Sequence, residues 1–566
     1  MPRRTAVVAV GLAAAFAAAL PTTATADRPT TFYDTFLVSK ALDGRFPDGP
    51  SRNAAFSQDG RRASIITFES EATNLVPGDT NGLTDVFYQE RQDNGNDGEP
   101  WISRGTRLVS TGLGGRPADG RSYGAAVDGD ASSANGNANT APKCIAFVSE
   151  ASNLVSGDTN GKADAFVYFI RTGKIQRVSV SSTGVQADGG TFDVAIDGTC
   201  SRVAFTSDAT NIAQATDGPA RNPNYGVNRT DTPLSGIKNV YVHVLGAEKN
   251  SDKGLIGLTF LASATNAGTP GDKDSFDPSW SLRTGQALSF TSNATNLDER
   301  DRNNFSDVYV KGMRRVIRFF GKPGSRVKLA TLVTKVRVVS INPSTQRAGN
   351  GPSTNGSVSD QGCSVAFATQ STDIYVGDSA PMSDIVRADI RGFLLKNKIL
   401  PKDPAGCREI ESAAAPAGDT IKITKVARGD GPTTPPVSVG GGDYITFTSD
   451  ASDFPGVTAA NKDRNGVGDV FLWSGTRATG NVTRLLSADT DNDQLVLPSF
   501  NSAPSQRINY IMFETNDPFA DKVAASRFDF GTTDRAAIYA QANTGPASRF
   551  HQIYMRYLGP KTIKAE

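Results

Sequence analysis

One short pattern recurs seven times along the chain: a run of alternating apolar residues that ends in phenylalanine and leads into a polar turn. Clear copies are SIITFES (64–70), CIAFVSE (144–150) and RVAFTSD (202–208). The anchoring phenylalanines are Phe68, Phe147, Phe205, Phe290, Phe367, Phe447 and Phe513, at intervals of 58 to 85 residues. A period of this size indicates a supersecondary unit that buries its apolar face against its neighbours.

Three further strand-like runs accompany each copy. A run of small residues precedes it, such as NAAFS (53–57), and two more follow, such as DVFYQ (85–89) and TRLVS (106–110). Small side chains suit an innermost strand because the repeats converge on a common axis, and 56 glycines and 30 prolines suit many turns. The sequence therefore predicts an all-β, seven-bladed β-propeller with four-stranded antiparallel blades, with six or eight blades as alternatives.

The two ends of the chain are predicted to close the ring together. Residues 35–39 read as a fourth strand with no blade in front of them, and the last repeat ends soon after its third strand. Pairing of residues 35–39 with the C-terminal blade would protect an open sheet edge. The segment KTIKAE (561–566) is the alternative for that position.

The first 26 residues have the features of an export signal. Arg3 and Arg4 precede an apolar stretch (6–20), and Ala24-Thr25-Ala26 forms a small-residue cleavage site. We therefore expect residues 27–566 to form a single exported propeller domain, extracellular or at the periplasm and cell envelope. Without the signal, 57 Lys and Arg face 58 Asp and Glu, which argues against a nucleic-acid partner. No later apolar run reaches membrane length, and we expect a monomer.

The repeat resembles a known bacterial propeller family. The segment SQDGRRASIITFESEATNLVPGDTNGLTDVF (57–87) and its partner CIAFVSEASNLVSGDTNGKADAFVY (144–168) resemble the TolB-like, or WD-repeat-like, repeats of secreted bacterial proteins. The resemblance implies a protein-binding or scaffold role at the cell envelope. TolB proteins have six blades and an additional N-terminal domain, whereas this chain has seven repeats and no room for that domain.

Four cysteines in an exported chain suggest disulfides. Cys363 and Cys407 lie within one repeat and its insertion, so we expect them to pair. Cys144 and Cys200 precede equivalent strands of neighbouring repeats. Equivalent points on adjacent blades are expected to lie beyond the ~7 Å Cα separation that a disulfide tolerates. Four unpaired buried thiols are the alternative.

The loop between the second and third strands resembles a calcium loop. Such loops place oxygen ligands on alternate residues around a glycine turn, and four repeats retain the pattern. Structural calcium ions would be held by Asp79, Asn81 and Asp85; Asp158, Asn160 and Asp164; Glu299, Asp301, Asn303 and Asp307; and Asn461, Asp463, Asn465 and Asp469. The alternative is a structural turn in which Asp and Asn side chains cap the backbone.

The sequence predicts neither catalytic residues nor a cofactor-binding motif. An acid/base pair of Asp79 and Asp85 is disfavoured because the same pair recurs around the ring, whereas acid/base chemistry needs two unlike environments at one site. His243 and His551 are the only histidines, and neither has metal-ligand spacing. No G-x-S-x-G elbow, phosphate-binding loop or dinucleotide fingerprint accompanies them.

Two basic insertions are the remaining charge feature, near residues 311–337 and 391–411. The first is predicted to form a rim patch with Arg314, Arg315, Arg318, Lys322, Arg326 and Lys328. Such a patch suits an acidic envelope protein or an anionic cell-wall polymer, and the alternative is a solvated loop.

Together these features favour a non-enzymatic β-propeller that binds proteins or glycans outside the cytoplasm. Two alternatives remain open. One is a polysaccharide lyase or hydrolase built on a propeller, which requires an acid/base cluster at the funnel. The other is a calcium-dependent glycan-binding protein.

Overall fold

The structure is a computed structural model of the whole chain. It describes residues 35–558 except residue 61 and the segments 93–100, 130–141, 214–232, 246–256, 283–284, 321–326, 376, 379–381, 404–406, 408–414, 428–432, 440–441, 453, 455–462, 477–479, 490–492, 507 and 545–547. The predicted export signal (1–26) lies outside the described residues.

Seven four-stranded antiparallel sheets form a ring, which confirms the predicted seven-bladed β-propeller. The closing strand is β1 (Thr35–Leu37). Blade 1 contains β2 (Ser51–Phe56), β3 (Ile65–Ser70), β4 (Asp85–Arg91) and β5 (Ser103–Leu108). Blade 2 contains β6 (Ser122–Val127), β7 (Cys144–Ser149), β8 (Asp164–Phe169) and β9 (Lys174–Arg177). Blade 3 contains β10 (Thr191–Ile196), β11 (Arg202–Ser207), β12 (Asn239–Val244) and β13 (Thr259–Leu261).

The remaining blades follow the same order. Blade 4 contains β14 (Ser275–Trp280), β15 (Ala287–Ser292), β16 (Asp307–Phe320) and β17 (Val327–Val338), and is followed by a small ribbon of β18 (Ile341–Asn342) and β19 (Arg347–Ala348). Blade 5 contains β20 (Ser353–Val358), β21 (Ser364–Thr369), β22 (Asp384–Asp389) and β23 (Lys422–Ala427). Blade 6 contains β24 (Thr433–Val439), β25 (Tyr444–Ser449), β26 (Asp469–Thr476) and β27 (Gly480–Leu485). Blade 7 contains β28 (Ser499–Pro504), β29 (Tyr510–Thr515) and β30 (Gln552–Tyr557).

The recurring phenylalanine anchors each blade because the second strand is covered on both faces. Every residue of β3 is buried. Phe68 stacks on Phe87 of the third strand with ring centroids 5.8 Å apart, and Phe147 stacks on Phe166 at 5.7 Å. Each ring also fills the space between adjacent blades. Burial of one such side chain contributes about 2–3 kcal/mol, which explains why the pattern survives while the loops diverge.

The innermost strands share a β-bulge near their first residues. In blades 1, 4, 5 and 7 the bulge residue is a left-handed Asn or Asp: Asn53 (φ 53°), Asp277 (φ 53°), Asn355 (φ 56°) and Asn501 (φ 49°). Gly124 (φ 65°) takes this position in blade 2. Asn, Asp and Gly tolerate this backbone conformation best. Seven inner strands contact one another in sequence around the axis.

The N-terminal strand closes the ring as predicted. β1 pairs antiparallel with β30, with Thr35 opposite Arg556 and Leu37 opposite Tyr554. QIYMRY (552–557) is therefore the third strand of blade 7, whereas AAIYAQ (536–541) lies in a helix. The backbone N–H of Leu37 also donates to Asp521, the residue that caps the neighbouring helix. The outer edge of blade 7 is covered by this pairing.

Three short helices lie in insertions: α1 (Arg391–Lys396) in blade 5, and α2 (Lys522–Ser526) and α3 (Arg535–Ala542) in blade 7. The first basic insertion is an extension of the hairpin β16–β17. α1 packs against its base, where a methyl group at Gly312 would lie 3.0 Å from Leu394. Within the described residues, none of the helices is long and apolar enough to cross a membrane. A short 3₁₀ turn (Leu113–Gly115) follows β5.

Two disulfides join the four cysteines. Cys363 pairs with Cys407 at a Cα separation of 5.7 Å. Cys144 pairs with Cys200 at 5.8 Å, so the expectation that adjacent blades hold these two residues too far apart is wrong. The reason is that Cys200 lies in the turn before β11 rather than in the strand, and this turn reaches the start of β7 in the preceding blade.

We expect loss of the inter-blade disulfide to destabilise the propeller by about 4 kcal/mol, because it closes a loop of more than 50 residues in the unfolded chain. The test is urea denaturation of the double variant Cys144→Ala with Cys200→Ser, compared with Cys363→Ala with Cys407→Ser. The second bridge closes a shorter loop (sequence separation 44 against 56), so the entropic difference between the two variants is small. A free energy of unfolding within 1 kcal/mol of wild type after loss of Cys144–Cys200 would contradict the prediction.

Candidate functional site

At the end of the propeller where the inner strands begin, residues of six inner strands are exposed or half-buried. We call the ring of residues 52–53, 123–124, 192–193, 276–277, 354–355 and 500–501 the channel mouth. At the opposite end the turns between first and second strands touch one another. A methyl group at Gly198 would lie 2.1 Å from the carbonyl oxygen of Leu282 and 2.4 Å from that of Gly129. A ligand of the channel is therefore expected to enter at the mouth.

Two aspartates from adjacent blades face each other at the mouth. Asp193 is on β10 and Asp277 is the left-handed bulge residue of β14. Asp193 Oδ2 accepts the backbone N–H of Asp277 at 3.3 Å, and its Oδ1 accepts that of Thr206 at 3.2 Å. Both side chains are half-buried. The bulge turns the peptide N–H of Asp277 toward Asp193 on the neighbouring blade, and the charge of Asp193 acts on the Asp277 carboxyl group.

The two carboxyl groups lie in unlike environments. Burial and the adjacent Asp193 carboxylate raise the pKa of Asp277 to about 6. Burial also raises the pKa of Asp193, but the hydroxyl and N–H of Thr206, the N–H of Asp277 and the charge of Lys238 act in the opposite direction. Burial thus raises both pKa values, but Asp193 has hydrogen-bond donors that favour its ionised form, whereas Asp277 has the like charge of Asp193 beside it. Such a separation of roles is what acid/base chemistry requires.

Aromatic and cationic groups flank Asp193. Phe192 is 40% exposed, and the Lys238 ammonium lies 4.0 Å from the centroid of its ring. On the adjacent inner strand, Arg121 lies 5.9 Å from the ring centroid of Tyr123. Burial and the nearby Glu150 raise the pKa of the Tyr123 hydroxyl, and Asp193 contributes to this shift. Asp193 therefore sits beside the exposed Phe192 ring and the Lys238 ammonium, and the half-buried Tyr123 ring with Arg121 lies on the adjacent blade.

A second acidic cluster joins blades 1, 2 and 7 beneath the mouth. Asn53 donates its side-chain N–H to Glu69 at 3.0 Å and its backbone N–H to Glu514 at 2.6 Å. Glu69 also accepts the backbone N–H of Gly124 at 2.5 Å. Glu514 Oε2 lies 2.9 Å from His551 Nε2. Glu69 and Glu514 are almost fully buried, so this cluster fixes the bulges from below and presents little surface to a ligand.

Burial raises the pKa of Glu69 to about 7, and the charge of Glu514 adds to the effect. The other histidine, His243, is buried with its pKa lowered to about 4 by desolvation. Its Nδ1 donates to Thr259 Oγ1 at 2.8 Å, since that hydroxyl itself donates to the carbonyl of Val180. Among the described residues, no group of three or more His, Cys, Asp and Glu side chains is arranged to hold a metal ion.

The predicted calcium loops are held by hydrogen bonds within each blade. Asn81 donates to Asp85 at 2.7 Å and to the carbonyl of Ala118 at 3.2 Å, while its oxygen accepts the N–H of Leu83. The Ala118 carbonyl needs a donor and the Leu83 N–H needs an acceptor, so the orientation of the Asn81 side-chain amide is fixed. Ser110 donates to the other oxygen of Asp85 at 2.5 Å, and burial raises the pKa of Asp85 to about 6. Asp79 is buried beside it.

The other three loops repeat this arrangement with small changes. In blade 2, Asn160 and Gln186 donate to Asp164, and Gln186 also donates to Asp158. In blade 4, Asn303 donates to Asp307 at 3.0 Å and the Tyr309 hydroxyl donates to Asp301. Glu299 is exposed. In blade 6, Gln494 donates to Asp463 and Asp469, and Asn465 to the carbonyl of Leu495; Asn461 lies outside the described residues. In all four loops an amide N–H contacts the carboxylate that a cation would need.

We expect Asn303→Asp to lower the free energy of unfolding by about 2 kcal/mol in the presence of a chelator. The change removes the donor to Asp307 and to the carbonyl of Gly349 and adds a second carboxylate beside Asp307. Urea denaturation at neutral pH measures the effect. Asn304→Asp is the matched control because Asn304 is exposed.

The same pair of variants tests the predicted calcium site. Recovery of Asn303→Asp stability in millimolar calcium, without recovery of Asn304→Asp, would place a cation in this loop. Equal stability of both variants in chelator would contradict a stabilising role for the hydrogen bonds that Asn303 donates to Asp307 and Gly349.

The basic patch is described only in part. Arg314 is half-buried at the base of the extended hairpin, whereas the side chains of Arg315, Arg318, Lys322, Arg326 and Lys328 lie outside the described residues. Lys311 and Arg337 are buried: the first donates to the carbonyl of Ala264 at 2.9 Å, and the second pairs with Asp298 at 3.5 Å. These two cations support the blade and are not part of a surface patch. An anionic partner at the hairpin stays a prediction.

The sequence did contain a signal for the aspartate pair that the repeat pattern obscured. Asp193 and Asp277 begin the runs DVAID and DPSWS, which are innermost strands of otherwise small or apolar residues. Aspartate is depleted in strands, so a carboxylate there needs a reason. Glu69 and Glu514 likewise follow the anchoring phenylalanine, where the other repeats have Val148, Thr206, Thr291, Ala368 and Thr448.

Comparison with known proteins gives distant structural similarity only. No family model matches the chain, and no curated protein matches it. Oligogalacturonate lyase in complex with manganese has 10% identity and a TM-score of 0.41, with 93% of this chain and 96% of that chain covered. Tricorn protease has 10% identity and a TM-score of 0.40 over 85% of this chain, and acylaminoacyl peptidase has 9% identity and 0.37 over 82%. The chain spans about a third of the length of tricorn protease and half of that of acylaminoacyl peptidase.

The prediction of a non-enzymatic binding or scaffold module is contradicted by this finding, because the similar propellers named here are peptidases and a lyase. The prediction that catalytic residues are absent rests on the loop carboxylates, the two histidines and the known catalytic motifs, and it stays a prediction. It does not consider the inner strands, where Asp193 accepts the backbone N–H of Asp277. The fold that all these observations describe is a seven-bladed β-propeller with a polar, carboxylate-bearing channel mouth.

Proposed function

We propose that the chain is a propeller-based hydrolase of polysaccharides, with its active site at the channel mouth. The observation that carries this proposal is the pair of adjacent carboxyl groups, Asp193 and Asp277, in unlike environments at the accessible end of the channel. Glycoside hydrolysis uses two such groups, one protonated and one ionised, on either side of the scissile bond.

The roles follow from the surroundings of each carboxyl group. Asp277 transfers its proton to the glycosidic oxygen as the bond to the anomeric carbon breaks. Asp193 takes a proton from a water molecule whose oxygen bonds to that carbon, so one water is consumed for each bond cleaved. The backbone N–H groups of Thr206 and Asp277 hold the Asp193 carboxylate in place.

A product assay tests this function. The purified protein is incubated with polygalacturonate, chondroitin sulfate, xylan and dextran between pH 4.5 and 7, and new reducing ends are measured. Hydrolysis gives reducing ends alone, whereas a lyase also gives an unsaturated uronate that absorbs in the ultraviolet. Products that absorb in the ultraviolet would show that the protein is a lyase and would overturn hydrolysis. Absence of new reducing ends from every polymer would contradict the proposal.

We further infer that the protein acts outside the cytoplasm and that its repeats are of the TolB type. Two disulfides support export, since such bonds persist mainly in oxidising compartments. The repeat assignment is supported by the motifs quoted above. Fractionation of expressing cells, followed by detection of the chain with an antibody, tests the location.

A further inference from the structure

We propose that the channel mouth contains a subsite for an acidic sugar, formed by Phe192, Lys238, Tyr123 and Arg121. This inference rests on the proposed function and names the class of polymer that it acts on. The subsite would bind a sugar ring that carries a carboxylate or a sulfate group, next to the Asp193–Asp277 pair.

The aromatic surface is the first support. Phe192 is 40% exposed although an aromatic ring of this size is usually buried. Tyr123 lies near the start of β6, the inner strand of the adjacent blade, and β6 contacts β10. The apolar face of a sugar ring packs well on an exposed aromatic ring, and binding sites combine such apolar surface with a few polar groups.

The paired cations are the second support. Each ring has a cation over one face: the Lys238 ammonium lies 4.0 Å from the centroid of the exposed Phe192 ring, and the Arg121 guanidinium lies 5.9 Å from the centroid of the half-buried Tyr123 ring. A sugar that packs on either ring would place its charged substituent within reach of that cation. Charge-assisted hydrogen bonds from ammonium and guanidinium groups to carboxylate or sulfate oxygens are stronger than neutral ones.

The charge at the site also favours an anionic polymer. Lys238 acts on Asp193, where its charge favours the ionised carboxylate. Burial and the adjacent Asp193 carboxylate raise the pKa of Asp277 to about 6, so the pair carries less negative charge at mildly acidic pH than two ordinary carboxylates would. With Lys238 and Arg121 nearby, the mouth is then not repulsive to an acidic sugar. A neutral sugar would use the rings but would offer no anionic group to either cation.

Binding measurements on a variant that cannot cleave test the subsite. Asp277→Asn is titrated calorimetrically with polygalacturonate, dextran sulfate and dextran. We expect at least one of the two anionic polymers to bind at least about tenfold more tightly than dextran, and to bind more weakly as salt increases. The two anionic polymers distinguish a carboxylate from a sulfate substituent. On this background, Lys238→Gln and Phe192→Leu are each expected to weaken binding by about tenfold.

Lys273→Gln is the matched control, because Lys273 is exposed on the adjacent blade; its affinity should stay within twofold. Equal affinity for dextran, absence of binding to any polymer, or equal losses for Lys238→Gln and Lys273→Gln would each overturn the subsite. The proposed function fails in a different way. Binding of an anionic polymer that the wild-type protein does not cleave overturns hydrolysis and retains the subsite, whereas cleavage that is indifferent to Lys238→Gln retains hydrolysis and removes the subsite.

Discussion

Asp277→Asn is expected to lower kcat by about 10²–10⁴-fold, with little change in KM. An amide cannot transfer a proton to a leaving oxygen, and loss of a general acid has effects of this size. Since burial and Asp193 raise the pKa of Asp277 to about 6, kcat/KM should fall above about pH 6 in the wild-type protein. Reducing-end assays across pH measure both quantities.

The variant should fold normally, which makes the experiment interpretable. Asp277 has φ 53°, and asparagine holds the same bulge position with nearly the same φ in Asn53, Asn355 and Asn501. Asparagine tolerates this conformation as well as aspartate does. The control is Asp493→Asn, which removes an exposed carboxylate from the loop after blade 6 and should leave kcat unchanged. Retention of more than half of the activity in Asp277→Asn would show that another group supplies the proton.

Much of the architecture follows from periodicity alone. Phe68 and its six equivalents identify the blades because a strand buried on both faces tolerates little change, while loop lengths vary freely. The closing strand at residues 35–37 is predictable for a related reason. A ring of blades leaves two sheet edges where the chain ends meet, and β1 lies before the first blade at one of these edges.

The candidate site was not predictable in the same way. Asp193 and Asp277 are 84 residues apart and contact each other only because consecutive blades place their inner strands side by side. Their pKa values depend on burial and on each other, and neither quantity is visible in a local motif. The disulfide of Cys144 and Cys200 shows the same limit. The repeat predicts where each blade lies along the chain, but it does not predict how closely the turn that contains Cys200 approaches the preceding blade.

The melting temperature of the protein is expected to be higher near pH 5 than near pH 8, by roughly 5 °C or more. Burial raises the pKa of Asp128 and Asp307 to about 8, of Glu69 to about 7 and of Asp85 to about 6. The folded state therefore keeps protons between about pH 4 and pH 8 that the unfolded state releases. Stability present below pH 4 is lost as the pH rises through these values. Differential scanning calorimetry measures the profile.

Asp128→Asn identifies one source of this pH dependence. Asp128 Oδ1 accepts the backbone N–H groups of Lys143 and Cys144 at 2.7 and 3.0 Å, and an amide oxygen can accept both. The variant removes only the cost of ionising a buried group next to Asp197, so its melting temperature should exceed that of wild type at pH 8 and approach it at pH 5. Glu150→Gln, at an exposed position, should follow the wild-type profile. If Asp128→Asn instead loses stability equally at both pH values, the carboxylate is ionised in the folded state, because only an ionised group would supply a hydrogen-bond strength that the amide lacks.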